Sequence, residues 1–215
     1  MVNTGPMRIL IVDDHTVVRR GLKEILVEEF PHAEFGEAED GPQTLRLIMK
    51  QKWDVVVLDI TLPGMSGLDV LKNIKNVCPN LPILILSMHP EDQYALRALK
   101  AGASGYLTKE TASEELVKAV KKVRTGGKYI SDSLGEALAF RVADGHEGPL
   151  HDKLSDREHQ VMLMVASGKT VSGIAEELSL SKQAISTYRS RILAKMKMKT
   201  NADLMRYAME NKLVD

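Results

Sequence analysis

Three acids, a serine and a lysine stand at the ends of short strand-like runs, and together their side chains could hold a phosphoryl group. They are Asp13 and Asp14, Asp59, Ser87 and Lys109. Neighbouring carboxylates repel one another unless a cation neutralises them, and ligand sets made only of oxygen favour Mg²⁺ (or Mn²⁺). A lysine adds a positive charge and a serine hydroxyl adds a hydrogen bond. We therefore expect a phosphoryl group on Asp59, with Mg²⁺ and Lys109 neutralising its oxygens and Ser87 contacting one of them.

The elements that must position these residues are predicted from hydrophobic spacing. Five short runs predict strands, at residues 7–12, 34–38, 53–58, 82–86 and 104–107. Five segments with helical spacing follow them, at residues 15–29, 41–50, 66–76, 91–101 and 112–124. Strands that alternate with helices in this way are typical of a parallel sheet covered on both faces. The predicted fold class is an α/β domain with a flavodoxin-like, doubly wound, five-stranded parallel sheet of order 2-1-3-4-5.

This strand order brings the candidate residues to one edge of the sheet. Strands 1 and 3 are neighbours at the topological switch point, and open α/β sheets bind their ligands there, beyond the carboxyl ends of the strands. The acids after strand 1 and Asp59 after strand 3 should converge in one crevice, with Ser87 and Lys109 beside them.

Each residue taken alone also has a structural explanation. Asp13 and Asp14 could cap the helix that follows them. Tyr106 alone is better explained as a half-buried packing residue, and His15 as a residue at a helix start. The joint occurrence of the five groups, in order, is what favours an acidic pocket.

Charge divides the chain into two parts. Residues 1–151 carry 18 Lys and Arg against 21 Asp and Glu, whereas residues 152–215 carry 11 against 8. A basic excess confined to one part is typical of a module with an acidic partner. We predict a first domain over residues 7–126, a linker over 127–151 with a short helix at 131–142, and a second domain over 152–215.

The second domain is predicted to be a small all-α, four-helix, helix-turn-helix domain. Ser155 and Glu158 show the spacing of a capping box at the start of its first helix. A short helix at 171–178, a tight turn, a longer helix to about residue 198 and a last helix at 201–211 follow, which is the helix-turn-helix layout. Residues 181–199 contain six basic side chains and no acidic one. A solvated basic face would also explain that bias, but within this layout attraction to phosphates is the better explanation.

Helical spacing gives the longer helix two faces. The residues expected to pack inward are Ala184, Ile185, Tyr188, Ile192 and Met196. The residues left outward are Lys182, Gln183, Ser186, Thr187, Arg189 and Ser190.

Composition limits the compartment. The single Cys78 excludes an internal disulfide framework. The first apolar run is interrupted at once by Asp13 and Asp14, so we expect neither a secretory signal nor a membrane span. The predicted location is the cytoplasm.

The first domain resembles the receiver domain of a two-component response regulator. The residues that carry the resemblance are Asp13, Asp14, Asp59, Pro63, Gly64, Ser87 and Lys109. Residues 86–89 and 101–107 resemble its NarL/FixJ subgroup in particular. The resemblance implies that Asp59 accepts a phosphoryl group from a sensor histidine kinase. It implies that Asp13, Asp14, Asp59 and the backbone carbonyl of Thr61 bind the metal. It further implies that Ser87 and Tyr106 form a conformational switch, and that the Lys109–Glu110 peptide is cis.

The second domain resembles the LuxR-type helix-turn-helix. The resemblance implies that Ser186, Thr187 and Ser190 face bases, and that nearby basic residues, such as Lys182, Lys195 and Lys197, hold phosphates. The three hydroxyl side chains discriminate poorly between bases, so Gln183, Arg189 or DNA shape should supply more of the specificity.

The predicted function is a phosphorylation-controlled transcription regulator that binds double-stranded DNA and dimerises when phosphorylated. Two alternatives belong to other classes. A phosphohydrolase would use Asp59 as nucleophile, but Thr61 stands where a second carboxylate would be wanted, so we expect no enzyme beyond slow self-dephosphorylation. A receiver that acts through protein contacts alone would lack the steep salt dependence of a DNA binder.

Overall fold

The computed structural model describes residues 5–89, 91–132, 134–136, 149–211 and 213–214. The chain forms two compact units, Met1–Phe140 and Arg141–Asp215.

The first unit is built on a parallel sheet whose strand order is β2-β1-β3-β4-β5. The strands are β1 (Arg8–Val12), β2 (Glu34–Ala38), β3 (Val55–Asp59), β4 (Ile83–Ser87) and β5 (Gly105–Thr108). All residues of β3 and β4 are buried, as expected for central strands covered on both faces. The register pairs Val12 with Leu58, Asp59 with Leu86 and Ser87 with Thr108, so the polar ends of these strands lie at one edge. The predicted fold class is confirmed.

Four helices connect the strands and a fifth follows β5, and their apolar stripes cover the sheet. They are α1 (Thr16–Glu29), α2 (Gly41–Lys50), α3 (Gly67–Val77), α4 (Glu91–Lys100) and α5 (Ala112–Arg124). Local sequence explains where two of them begin. The Asp40 carboxylate accepts from the Gln43 amide at the start of α2, and the Ser66 hydroxyl accepts from the Asp69 amide at the start of α3.

A short connector follows α5. Asp132 and residues 134–136 are helical. Of the helix predicted at 131–142, residue 131 is not helical, and residues 133 and 137–142 lie outside the described residues.

In its described residues, the second unit begins with a 3-10 turn, Leu150–Lys153, and continues with four helices. They are α6 (Asp156–Ala166), α7 (Val171–Glu177), α8 (Lys182–Lys195) and α9 (Asn201–Glu210). The capping box predicted from Ser155 and Glu158 is present at the start of α6. The buried apolar residues of the second unit include Val161, Ile174, Ile185, Ile192 and Leu204.

The predicted end of the longer helix is wrong. The spacing of apolar residues suggested that it runs to about residue 198, but α8 ends at Lys195 because Lys197 adopts a left-handed backbone, with φ of 55°. None of the helices in the described part of the chain combines the length and the apolar character that a membrane crossing requires.

Candidate functional site: an acidic pocket and a basic helix

Asp59 occupies the last position of β3 and is 3% exposed. Its Oδ1 accepts a hydrogen bond from the Thr61 amide at 3.0 Å, and its Oδ2 accepts one from Lys109 Nζ at 2.6 Å. The start of α3 packs directly against this strand end, because a Cβ on Gly67 would lie 2.1 Å from the backbone oxygen of Asp59. Only glycine fits there, so Gly67 helps to form the pocket although the sequence pattern did not single it out.

Lys109 joins two of the predicted acids. Its amide donates to the Ser87 carbonyl at 2.7 Å, which fixes the residue at the end of β5. Its ammonium lies 2.6 Å from Asp59 Oδ2 and 2.6 Å from Asp13 Oδ2. The side chain is only 12% exposed, so this ion triad is shielded from solvent. The peptide that follows, Lys109–Glu110, is trans, and the expectation of a cis bond is wrong.

Burial and charge act in opposite directions on these groups. Burial raises the pKa of Asp59 to about 6, although the Lys109 charge and hydrogen bond oppose the rise. Burial alone would lower the pKa of Lys109, but the charges of Asp59 and Asp13 outweigh it and raise that pKa. At neutral pH Asp59 is therefore ionised, and Lys109 carries the opposite charge.

Asp13, Asp14 and His15 form a second part of the pocket. One ligand atom from each lies within 4.8 Å of the other two. His15 Nδ1 is 2.7 Å from Asp14 Oδ1 and 3.3 Å from Asp13 Oδ1. His15, rather than either acid, is the N-cap residue of α1, and its side chain makes no capping hydrogen bond. The alternative in which the acids cap the helix is therefore not what the structure shows.

The donor set of this pocket fits a hard divalent cation. Asp13 is 1% exposed, and its Oδ2 lies 2.6 Å from the Lys109 ammonium. A buried carboxylate oxygen of this kind, beside a half-exposed Asp14, offers the oxygen ligands that Mg²⁺ prefers.

Ser87 and Tyr106 meet at the backbone of one residue. The Ser87 hydroxyl accepts from the His89 amide at 3.0 Å, and the Tyr106 hydroxyl donates to the His89 carbonyl at 2.9 Å. Tyr106 is completely buried, not half-buried as its residue type alone suggested. Tertiary packing against α4 and the strand ends decides this, since the sequence shows only one aromatic residue in a short strand.

The helix-turn-helix is formed by α7 and α8. Thr170 caps α7, and Ser181 caps α8. Ser179 between them has a left-handed backbone, with φ of 53°, which makes the tight turn. Most of the predicted outward residues are exposed, namely Lys182, Gln183, Ser186, Thr187 and Ser190. Arg189 is half-buried.

Several of these side chains already have partners within the domain. The Thr187 hydroxyl donates to the Gln183 carbonyl at 2.9 Å, and the Ser190 hydroxyl donates to the Ser186 carbonyl at 3.1 Å. Lys195 Nζ donates to Glu158 Oε2 at 2.6 Å. That ion pair was not expected from the sequence, because Glu158 and Lys195 lie on different helices. The roles of all these residues toward DNA remain predictions.

Comparison with known proteins agrees with this geometry. Residues 9–121 match the response regulator receiver domain, and residues 152–208 match the luxR family of bacterial regulatory proteins. The response regulator GacA of Pseudomonas aeruginosa is 34% identical over 211 residues, covering 97% of this chain and 98% of that protein. UvrY of Escherichia coli is 32% identical over 209 residues, covering 96% and 95%.

Solved structures match as well. A LuxR-family response regulator from Aurantimonas sp. SI85-9A1 is 36% identical, with a TM-score of 0.58, and covers 65% of this chain and 99% of its own. The RcsB–DNA complex is 26% identical, with a TM-score of 0.58, and covers 95% and 98%. The chain therefore belongs to the two-component response regulators of the NarL/FixJ family, and it is a DNA-binding transcription regulator with a receiver domain.

Proposed function

We propose that Asp59 accepts a phosphoryl group from a sensor histidine kinase, and that this reaction controls DNA binding by the helix-turn-helix domain. The observation that carries the proposal is the position of Lys109, whose ammonium contacts both Asp59 and Asp13. A buried carboxylate at the end of a central strand, ionised at neutral pH and facing a fixed cation, is suited to receive a phosphoryl group.

In the proposed reaction an Asp59 oxygen attacks the phosphorus of a phosphohistidine. The new O–P bond forms as the N–P bond breaks, and the imidazole leaves. Lys109 neutralises charge on the transferred group, and the Thr61 amide orients the carboxylate through Oδ1. Asp13, Asp14, Asp59 and the Thr61 carbonyl would hold Mg²⁺, which supplies further positive charge beside the phosphoryl oxygens.

Turnover should be slow, so we propose a switch and not an enzyme. Rapid hydrolysis needs a general acid or base beside the attacking water. Two residues after Asp59 the chain has Thr61, whose side chain has no ionisable group.

Dimerisation on DNA is the proposed output. Twofold proteins of this class bind two half-sites, and one related structure contains RcsB dimers bound to DNA. We propose that the unphosphorylated receiver restrains the second domain, and that phosphorylation releases it to dimerise on paired half-sites. Because DNA and the kinase's phosphorylated histidine must both be reached, the proposed site of action is the cytoplasm.

The test compares the full chain with Asp59→Asn. Genome-wide capture of bound DNA first identifies a target, and its affinity is then measured with and without beryllofluoride and Mg²⁺. Wild type should bind about 5–150-fold more tightly when treated, whereas Asp59→Asn should not respond. Asp54→Asn, immediately before the first residue of the same strand, serves as the control and should behave as wild type. Equal affinity of wild type in both conditions would refute the proposal.

A further inference from the structure

The start of the connector is attached to the edge of the receiver sheet by its backbone. Tyr129 pairs with Gly105 of β5 in a parallel bridge. The Tyr129 amide donates to the Ser104 carbonyl at 2.9 Å, and the Tyr106 amide donates to the Tyr129 carbonyl at 3.2 Å. A Cβ at position 105 would lie 2.5 Å from that carbonyl oxygen, so glycine is what permits this approach.

Side chains attach the same segment to the residues just before β5 and to α5. Lys128 Nζ donates to the Ala103 carbonyl at 2.6 Å. The Tyr129 ring lies under the Lys122 ammonium, 5.7 Å from the ring centroid, and burial, with the charge of Glu115 of α5, raises the pKa of its hydroxyl. Residues 128 and 129 are therefore a fixed extension of the receiver and not a free tether.

Ser131 then joins the connector to α4. Its hydroxyl donates to the Glu91 carboxylate, at the first position of α4, and accepts from the Leu134 amide at 3.2 Å. The Ser131 carbonyl accepts from the Gly135 amide at 3.0 Å. One residue thus caps the helical turn of the connector and holds it to the beginning of α4.

The beginning of α4 is in turn held by the acidic pocket. Glu91 lies two residues after His89, whose amide donates to the Ser87 hydroxyl and whose carbonyl accepts from Tyr106. If the Ser87 hydroxyl turns to a phosphoryl oxygen, it no longer accepts from the His89 amide, and one of the hydrogen bonds that hold His89 in place before α4 is lost.

We propose that Glu91 and Ser131 are positioning residues that carry the phosphorylation state of Asp59 to the connector. Their hydrogen bond is made in the unphosphorylated chain and broken when His89 and the start of α4 shift, which releases Ser131 from α4. This inference rests on the proposed function, because it requires a phosphoryl group on Asp59.

The test uses Glu91→Ala and Glu91→Gln in the full chain, since both leave the Ser131 cap intact. Glu91→Ala removes the acceptor and should raise the DNA affinity of the untreated protein about three- to ten-fold, and it should reduce the gain on adding beryllofluoride by the same factor. Glu91→Gln keeps an acceptor and should stay within about two-fold of wild type. Glu114→Ala removes an exposed acid from the first turn of α5 and is the matched control for loss of charge at a helix start.

Hydrogen exchange of residues 129–135 gives a second readout that does not depend on DNA. Beryllofluoride should speed exchange there in wild type, and Glu91→Ala should show the faster exchange without treatment. Exchange that is unchanged by beryllofluoride in wild type, or equal effects of Glu91→Ala and Glu91→Gln, would overturn the inference. Beryllofluoride could change this exchange in wild type without changing DNA affinity. In that case the proposed control of DNA binding fails, and the role of the Glu91–Ser131 contact is still supported.

Discussion

The acidic pocket and the α8 surface use polar side chains in opposite ways. In the pocket, Asp13 and Asp59 are buried, the Lys109 side chain is only 12% exposed, and each charge depends on the others. On α8, Ser186, Thr187 and Ser190 are exposed, and two of their hydroxyls are bonded to the helix itself. A change in a buried charge triad should therefore cost far more than a change on the helix surface, because water screens and replaces exposed contacts.

Lys109→Ala tests the first half of this comparison. It leaves two buried carboxylates without their counter-charge, so we expect a loss of about 3–5 kcal/mol in the free energy of unfolding, measured with urea. Mg²⁺ should restore part of this loss, and it should stabilise the variant more than wild type, because it binds the folded state alone. Lys118→Ala, an exposed lysine on α5, should cost little. Similar small losses in the two variants would show that the triad is not a buried, coupled unit.

Arg189→Ala tests the α8 side of this comparison. We expect specific DNA binding to weaken by about 1–3 kcal/mol if the guanidinium contacts a base. Lys197→Ala should weaken binding to specific and random DNA equally, and it should lower the salt slope by about 1. Both are measured by titration across a salt series. Equal losses on the two DNAs for Arg189→Ala would assign that residue to phosphate instead.

The ion pair of Glu158 and Lys195 combines the two kinds of environment. The Glu158 side chain is buried, but its partner Lys195 is partly exposed. Burial would raise the pKa of Glu158, but the hydrogen bonds from Lys195 and Ser155 outweigh it and lower the pKa. A carboxyl whose pKa is lower in the folded state adds stability above its ordinary pKa of 4.5, and this stability is lost as pH falls through the folded value.

Glu158→Gln should therefore cost about 0.5–1 kcal/mol at pH 7, discounted for the exposure of Lys195, and it should flatten the fall in unfolding free energy below pH 4.5. Unfolding of both proteins by urea at several pH values checks this. Parallel pH curves for wild type and variant would contradict the assignment.

Ser190→Ala should have the smallest effect. Because its hydroxyl already donates to the Ser186 carbonyl, we expect specific affinity to fall by no more than about 0.5 kcal/mol. Competition between target and mutated sites measures it, with Thr170→Ala, at the cap of α7, as the variant that perturbs the domain itself. A loss well above 1 kcal/mol, confined to one base pair, would make Ser190 a base contact.

The sequence alone was sufficient for the architecture. Buried β-branched and aliphatic strands, one followed by Asp13 and two ending in Asp59 and Ser87, determine the parallel sheet and the edge where its polar residues meet. Strand order and strand direction fix that edge. The start of α6 was equally predictable, since the capping box of Ser155 and Glu158 is a local pattern.

Tertiary structure decided the contacts that join distant segments. Lys109 contacts Asp59 and Asp13, Glu158 pairs with Lys195, and Tyr129 joins the edge of β5. The end of α8 and the trans Lys109–Glu110 bond also differ from what spacing and resemblance suggested. Periodicity reports which face of an element is buried, but it carries no information on which distant partner meets a given polar atom. That choice is made by packing, since a buried charge or amide must find its partner wherever the fold brings one within reach.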